Sequence, residues 1–189
     1  STNWTNPSNL FNDYNNLIFI QDQALAKAYT LEFEEMWSGT FGHYKEDNTP
    51  HLFNVNGTEI ELYFSPSDQT TTKIIEFIND VDYTLEFGLL SFTKNDIGDA
   101  VVDKKLTGFN IGIRGIIEQQ NVTGSEYDNL IANGVNVKSH TGVTHQFHHK
   151  YAIADANVIG SNPSVLTGSH NWSANAENNS DENTLIIHD

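Results

Sequence analysis

The chain has 189 residues, 25 Asp+Glu against 9 Lys+Arg, a formal charge of −16 and no cysteine. That length suits one domain, or one and a fraction, with a real core. The charge excludes the broad basic footprint that grips duplex DNA, the absence of cysteine excludes disulfides and thiol catalysis, and no apolar run reaches the ~20 residues of a membrane helix.

In chain order, Asn16–Ile20 reads as a short strand. Gln23–Trp37 follows as a helix, with Leu25, Ala28, Tyr29, Phe33, Met36 and Trp37 at helical spacing. Residues 38–57 are rich in Gly, Asn, Asp and Pro and read as a linker. Glu59–Phe64 reads as a strand, Thr71–Val81 as a helix, Thr84–Phe92 as a strand and Asn95–Leu106 as a helix with Asn95 as its cap. Phe109–Ile117 is a strand, Ser125–Asn133 a helix and Val135–Lys138 a short strand. Lys150–Ala154 and Ser164–Thr167 form a hairpin, and Asn183–His188 is the last strand. Alternating strands and helices argue an α/β domain: a mixed, largely parallel sheet flanked by helices.

The two ends resemble each other. Ser1-Thr2-Asn3-Trp4-Thr5 matches Ser169-His170-Asn171-Trp172-Ser173, and Asn16–Asp22 matches Asn183–Asp189. This pattern indicates an internal repeat. It divides the chain into the tail end of one repeat (residues 1–37), a linker (38–57) and a second repeat (58–189), as in a fragment of a two-motif protein. Asn3 then corresponds to Asn171, and Asn15 to Glu182.

The chemistry concentrates in His148-His149-Lys150-Tyr151-Ala152-Ile153-Ala154-Asp155, followed by Gly168-Ser169-His170-Asn171 and Glu182. Residues two apart on a strand share a face, so His148 and Lys150 point the same way, as do Ser169 and Asn171. A phosphodiester is an anion that repels nucleophiles. Lys150 is suited to neutralise its non-bridging oxygens, and neutral His148 to attack phosphorus, dividing one hard step into two through a phosphohistidine. The ring nitrogen not used in attack needs an acceptor; Glu182 is the first candidate and Asp155 the second. Lys150 argues against a metal among His145, His148 and His149, so no metal ligand and no cofactor are expected. His43, His51 and His140 lack a partner pattern and read as solvated. Glu118 reads as a solvated strand-end acid, and Trp172 as a packing residue.

The H-x-K-x4-D pattern with G-S-x-N and a downstream Glu resembles the phospholipase D superfamily, in particular its secreted bacterial members. The resemblance implies a metal-independent phosphodiesterase with His148, Lys150, Asp155 and Glu182 as catalytic residues. Ser169, Asn171 and Asn3 would line the substrate site. It also implies a second histidine from a second motif as general acid. This chain carries one motif, so a homodimer or an upstream repeat would complete the site. Phospholipid, nucleic acid or a smaller diester are the candidate substrates, with no duplex DNA binding expected from charge. A catalytically incomplete binding or scaffold module, and a phosphatidyl-type transferase, are the alternatives. The acidic, cysteine-free composition fits a secreted or cell-surface bacterial protein.

Overall fold

The computed structural model describes residues 2–3 and 11–188. Ser1, Trp4, Thr5 and Asp189, which enter the end-to-end match, lie outside the described residues. Helix α1 spans Gln23–Trp37, capped by Asp22, whose Oδ1 accepts the Leu25 N–H at 2.8 Å. The strands are β1 (Leu52–Val55), β2 (Thr58–Ser65), β3 (Thr84–Leu89), β4 (Gly112–Ile117), β5 (Asn136–Ser139), β6 (Lys150–Ala154), β7 (Ser164–Gly168) and β8 (Glu182–His188). Between them lie α2 (Thr70–Asn79), α3 (Asn95–Thr107), α4 (Tyr127–Ala132) and α5 (Ala174–Asn179).

The strands form one sheet in the order β1-β2-β8-β7-β6-β3-β4-β5. Among the described strands, parallel pairing is confined to β3-β4-β5, where α3 and α4 make the crossovers. The other neighbours are antiparallel. The sheet is therefore mixed, with less parallel pairing than the strand–helix alternation suggests. The connections from β6 to β7 and from β7 to β8 return the chain without the crossover a parallel pair needs.

Alternate residues of the strands face opposite layers. Leu85, Phe87, Leu89, Ile113, Ile117, Ala152 and Leu166 pack with Ile74, Ile78, Ile97 and Val101 of α2 and α3, around the fully buried Trp172 and Phe92. On the opposite face Leu62, Phe64 and Leu185 meet Leu25 and Ala28 of α1. Phe33 and Trp37, expected to face inward, are exposed and stack on each other at 5.8 Å. The inward position is taken by Glu32, which pairs with the buried Lys45. Lys45 also reaches Asp181 at 3.0 Å and the Ser65 carbonyl at 3.0 Å. The segment 38–57 thus holds a buried cation and strand β1, and belongs physically to the sheet. Residues 16–20 make no strand; Leu17 and Phe19 are exposed.

One hydrogen-bond cluster sets the position of β6. Asp155, just past the end of β6, accepts backbone N–H bonds from Asp82 at 2.9 Å, Tyr83 at 2.7 Å and Thr84 at 2.7 Å. Its own N–H donates to the Thr84 carbonyl at 2.9 Å. Asp155 is buried and left-handed at φ 56°, a conformation short polar side chains tolerate. Replacing Asp155 with Ala orphans three backbone donors and strains the turn. The expected loss in urea unfolding is at least about 3 kcal/mol, with Asp155→Asn intermediate because it keeps one acceptor oxygen.

Candidate active site

The C-terminal ends of β3 and β4 share an edge with the start of β6. Leu89 pairs with Lys150, and the Leu90 N–H donates to the His149 carbonyl at 2.8 Å. His148 precedes β6 and is held from its other side by the N-terminal segment: Tyr14 N–H donates to the Gln146 carbonyl at 2.8 Å, and His148 N–H to the Tyr14 carbonyl at 2.9 Å. That pairing brings the following residue, Asn15, against the His148 ring.

The ring's partners define its state. Asn15 Oδ1 lies 3.1 Å from Nδ1; a carbonyl oxygen only accepts, so Nδ1 carries the hydrogen. Nε2 faces two donors, Lys150 Nζ at 3.1 Å and Asn3 Nδ2 at 3.4 Å. The ring is therefore placed as a neutral imidazole with its Nε2 lone pair turned toward a cation and an amide. Lys150 Nζ also donates to the His148 carbonyl at 3.1 Å. Neither Glu182 nor Asp155 takes the Nδ1 position expected of them. Asp155 is spent on the β3 backbone, some five residues away along β6, and Glu182 acts electrostatically on Lys150 instead.

Lys150 is buried, and burial lowers its ammonium to about 8, with Glu182 acting in the opposite direction. His149, on the opposite face, is held near about 4, chiefly by burial and then by neighbouring positive charge that includes Lys150. It bonds Asn16 at 3.1 Å and stacks edge-on with Phe147 and Tyr151.

The G-S-x-N segment lies at the end of β7. A Cβ on Gly168 would stand 2.0 Å from the Asn183 carbonyl oxygen, so only glycine lets β8 approach. Ser169 Oγ accepts from the Asn183 N–H at 3.0 Å and its side-chain amide at 3.2 Å. Asn171 Oδ1 is buried with no hydrogen-bond partner among the described residues. A cavity of about 230 Å³ opens beside Ser169, lined also by Leu17, Ile18, Tyr29, Thr167 and Leu185. Trp172 is fully buried and packs, as expected.

Two histidines read as solvated are engaged. His140 Nδ1 meets Glu118 Oε2 at 2.6 Å and stacks with Tyr14 and Phe147; His51 bonds Asp47 at 2.9 Å. Their partners are remote in sequence or on loops, so spacing carried no signal. Asn15 was visible as the counterpart of Glu182 in the end-to-end match, but its contact with His148 was not.

Residues 74–189, more than half of the chain, match the family described as "Cardiolipin synthase, PLD-like domain". Over 126 residues the chain is 25% identical to a mitochondrial cardiolipin hydrolase of Chlamydomonas reinhardtii, covering 67% of this chain and 53% of that protein. It spans about half the length of the curated relatives it matches, 52% for the mouse protein. Among solved structures, Nuc from Salmonella typhimurium, titled a phospholipase D family member, aligns with TM-score 0.55 at 24% identity, over 70% of this chain and 84% of that one. NucT from Helicobacter pylori aligns with TM-score 0.58 at 24% identity, over 70% and 86%. These two show the same fold.

The Lys150 environment sets a pH dependence. Its folded value, about 8, lies below the ordinary lysine value of 10.5. The unfolded chain therefore binds the proton more tightly, and this group makes stability rise as pH climbs from about 8 toward about 10.4. Over the same range the site loses its cation. Nζ titration followed by NMR should give a midpoint near 8, and Glu182→Gln should move it lower.

Proposed function

Because the chain belongs to the phospholipase D-like family, we propose that it is a metal-independent phosphodiesterase acting through a covalent phosphohistidine on His148. The observation that carries this reading is the His148 ring itself, with hydrogen on Nδ1 and Nε2 turned toward Lys150 and Asn3. A phosphoryl group bound in front of Nε2 meets a nucleophilic lone pair. The cation and the amide N–H are placed for its non-bridging oxygens. In the first step the Nε2–P bond forms, the P–O bond to one alcohol breaks, and that alcohol leaves with a proton. In the second, water gives a proton to the group that protonated the alcohol and attacks phosphorus, the N–P bond breaks and a phosphomonoester leaves.

Asn15 supports the nucleophile role over that of acid. A neutral amide fixes the tautomer without stabilising an imidazolium, so His148 stays uncharged and able to attack. The leaving alcohol then takes its proton from another group. We place that group on a second phospholipase D-like half, in a second copy or joined in the same polypeptide. In the repeat reading, residues 1–37 form the tail of one repeat and 58–189 the next; Asn3 and Asn15, the counterparts of Asn171 and Glu182, both reaching His148 supports it.

The relatives are named cardiolipin hydrolases, which favours a phospholipid or small organic diester, and the charge of −16 disfavours duplex DNA. A transferase would follow the same first step with an alcohol replacing water. Turnover of a chromogenic phosphodiester in excess EDTA tests the proposal. The wild type should retain its rate and His148→Ala should lose about 10³-fold or more. Full activity in that variant would sink the histidine mechanism.

A further inference from the structure

On the β1–β2 flank of the sheet, the loop before β1 and the turn between β2 and α2 bring three ligand-type side chains together. Asp47, His51 and Asp68 each offer one ligand atom, and these atoms lie within 4.8 Å of one another. They are apart from His148: β8 and β7 separate β2 from β6, three strand spacings or roughly 14 Å.

His51 is the informative member. Its Nδ1 lies 2.9 Å from the Leu62 carbonyl oxygen, which only accepts, so Nδ1 carries the hydrogen. Its Nε2 lies 2.9 Å from Asp47 Oδ1. A neutral ring so arranged turns a lone pair onto a carboxylate oxygen, and two electron-rich atoms hold that separation only when positive charge sits between them. A second proton or a metal ion supplies it. An N–H bond to a backbone carbonyl from the other ring nitrogen is the arrangement that orients metal-binding histidines.

Asp68 adds a fixed second carboxylate. Its side chain is 1% exposed; its Oδ2 lies 4.0 Å from His51 Nδ1, on the side of the ring that bonds the Leu62 carbonyl, and within 4.8 Å of the other two ligand atoms. Phe64 N–H at 2.7 Å and the Ser67 hydroxyl at 2.6 Å hold it in place. The three residues line a cavity of about 410 Å³ with Gln69, Thr72 and Glu76, and Lys73 on the same wall is engaged by Glu76 at 2.9 Å.

We propose that Asp47, His51 and Asp68 bind one divalent transition-metal ion, which clasps the loop before β1 to the β2–α2 turn. One imidazole nitrogen with two carboxylates suits Zn²⁺ or Mn²⁺ better than the all-oxygen ligand sets of Ca²⁺ or Mg²⁺. The ion is structural and independent of the chemistry at His148.

The test is calorimetric titration of the chelator-stripped whole chain with ZnCl₂ and, separately, MnCl₂, with thermal unfolding in parallel. Wild type should take up one ion per chain with a rise in Tm. Asp47→Asn and His51→Gln should weaken binding by at least about 10-fold, and His148→Ala should leave it unchanged. Asp47 is exposed, so its Asn variant should match the wild-type circular dichroism without metal. No binding of either ion to wild type would overturn the proposal. Equal binding in Asp47→Asn, or loss in His148→Ala, would overturn it by placing the ion elsewhere.

Discussion

The carboxylate of Asp155 is the constraint on which the site depends. By accepting three consecutive backbone N–H groups at the entrance to β3, it locks β6 in register with β3. β6 spans five residues, Lys150–Ala154, so pinning its far end determines where its near end emerges. Lys150 then pairs with Leu89 and His148 stands at the sheet edge. A one-residue slip would turn Lys150 from the buried face to the other and place His149 in its stead. The five-residue spacing between lysine and aspartate is thus the length of a strand with a clamp at one end and chemistry at the other.

The second constraint is local dielectric. Lys150 is nearly inaccessible, which weakens its hold on its proton and strengthens its interaction with any anion that enters. Glu182 offsets part of that burial by acting on Lys150 across the strand ends, so the residue expected to orient the histidine instead sustains the cation. The orienting task falls to Asn15, from a segment more than a hundred residues upstream, and it performs it without adding charge. A chain with 25 acidic residues can still present a local positive site, because the charge is focused at one desolvated ammonium and not spread over the surface.

Much of this was legible in the residues. The α1 bounds followed from its apolar spacing, and β6 and β7 from short β-branched and apolar runs around a Gly-Ser-Asn-Pro turn. What was missed had weak local signals. Strand β1 buries only Phe53 and sits among turn-forming residues; α5 is polar with only Ala176 buried. The opposite error at Asn16–Ile20 has the same root: five apolar-rich residues satisfy a strand pattern, but a strand also needs a neighbour, and pattern does not name one. The His148 surroundings divide likewise. The Lys150 contact follows from strand alternation. The Asn15 contact spans 133 residues and depends on how Tyr14 pairs with the loop before β6. His51 was read as solvated because Leu62 and Asp68 reach it from β2 and the turn after it, and an Asp four residues away within a loop carries no signal by itself.

The most direct test of the central claim uses a phosphodiester with a p-nitrophenyl leaving group, which departs without a proton and so does not depend on any second acid. Rapid quenching under alkaline conditions, followed by peptide mass spectrometry, would locate the covalent intermediate. The account predicts the remaining phosphoryl ester on the ring of His148, with release of nitrophenolate matching its formation. Nitrophenolate release with no phosphorylated peptide, or with phosphate on another residue such as Ser169, would contradict it.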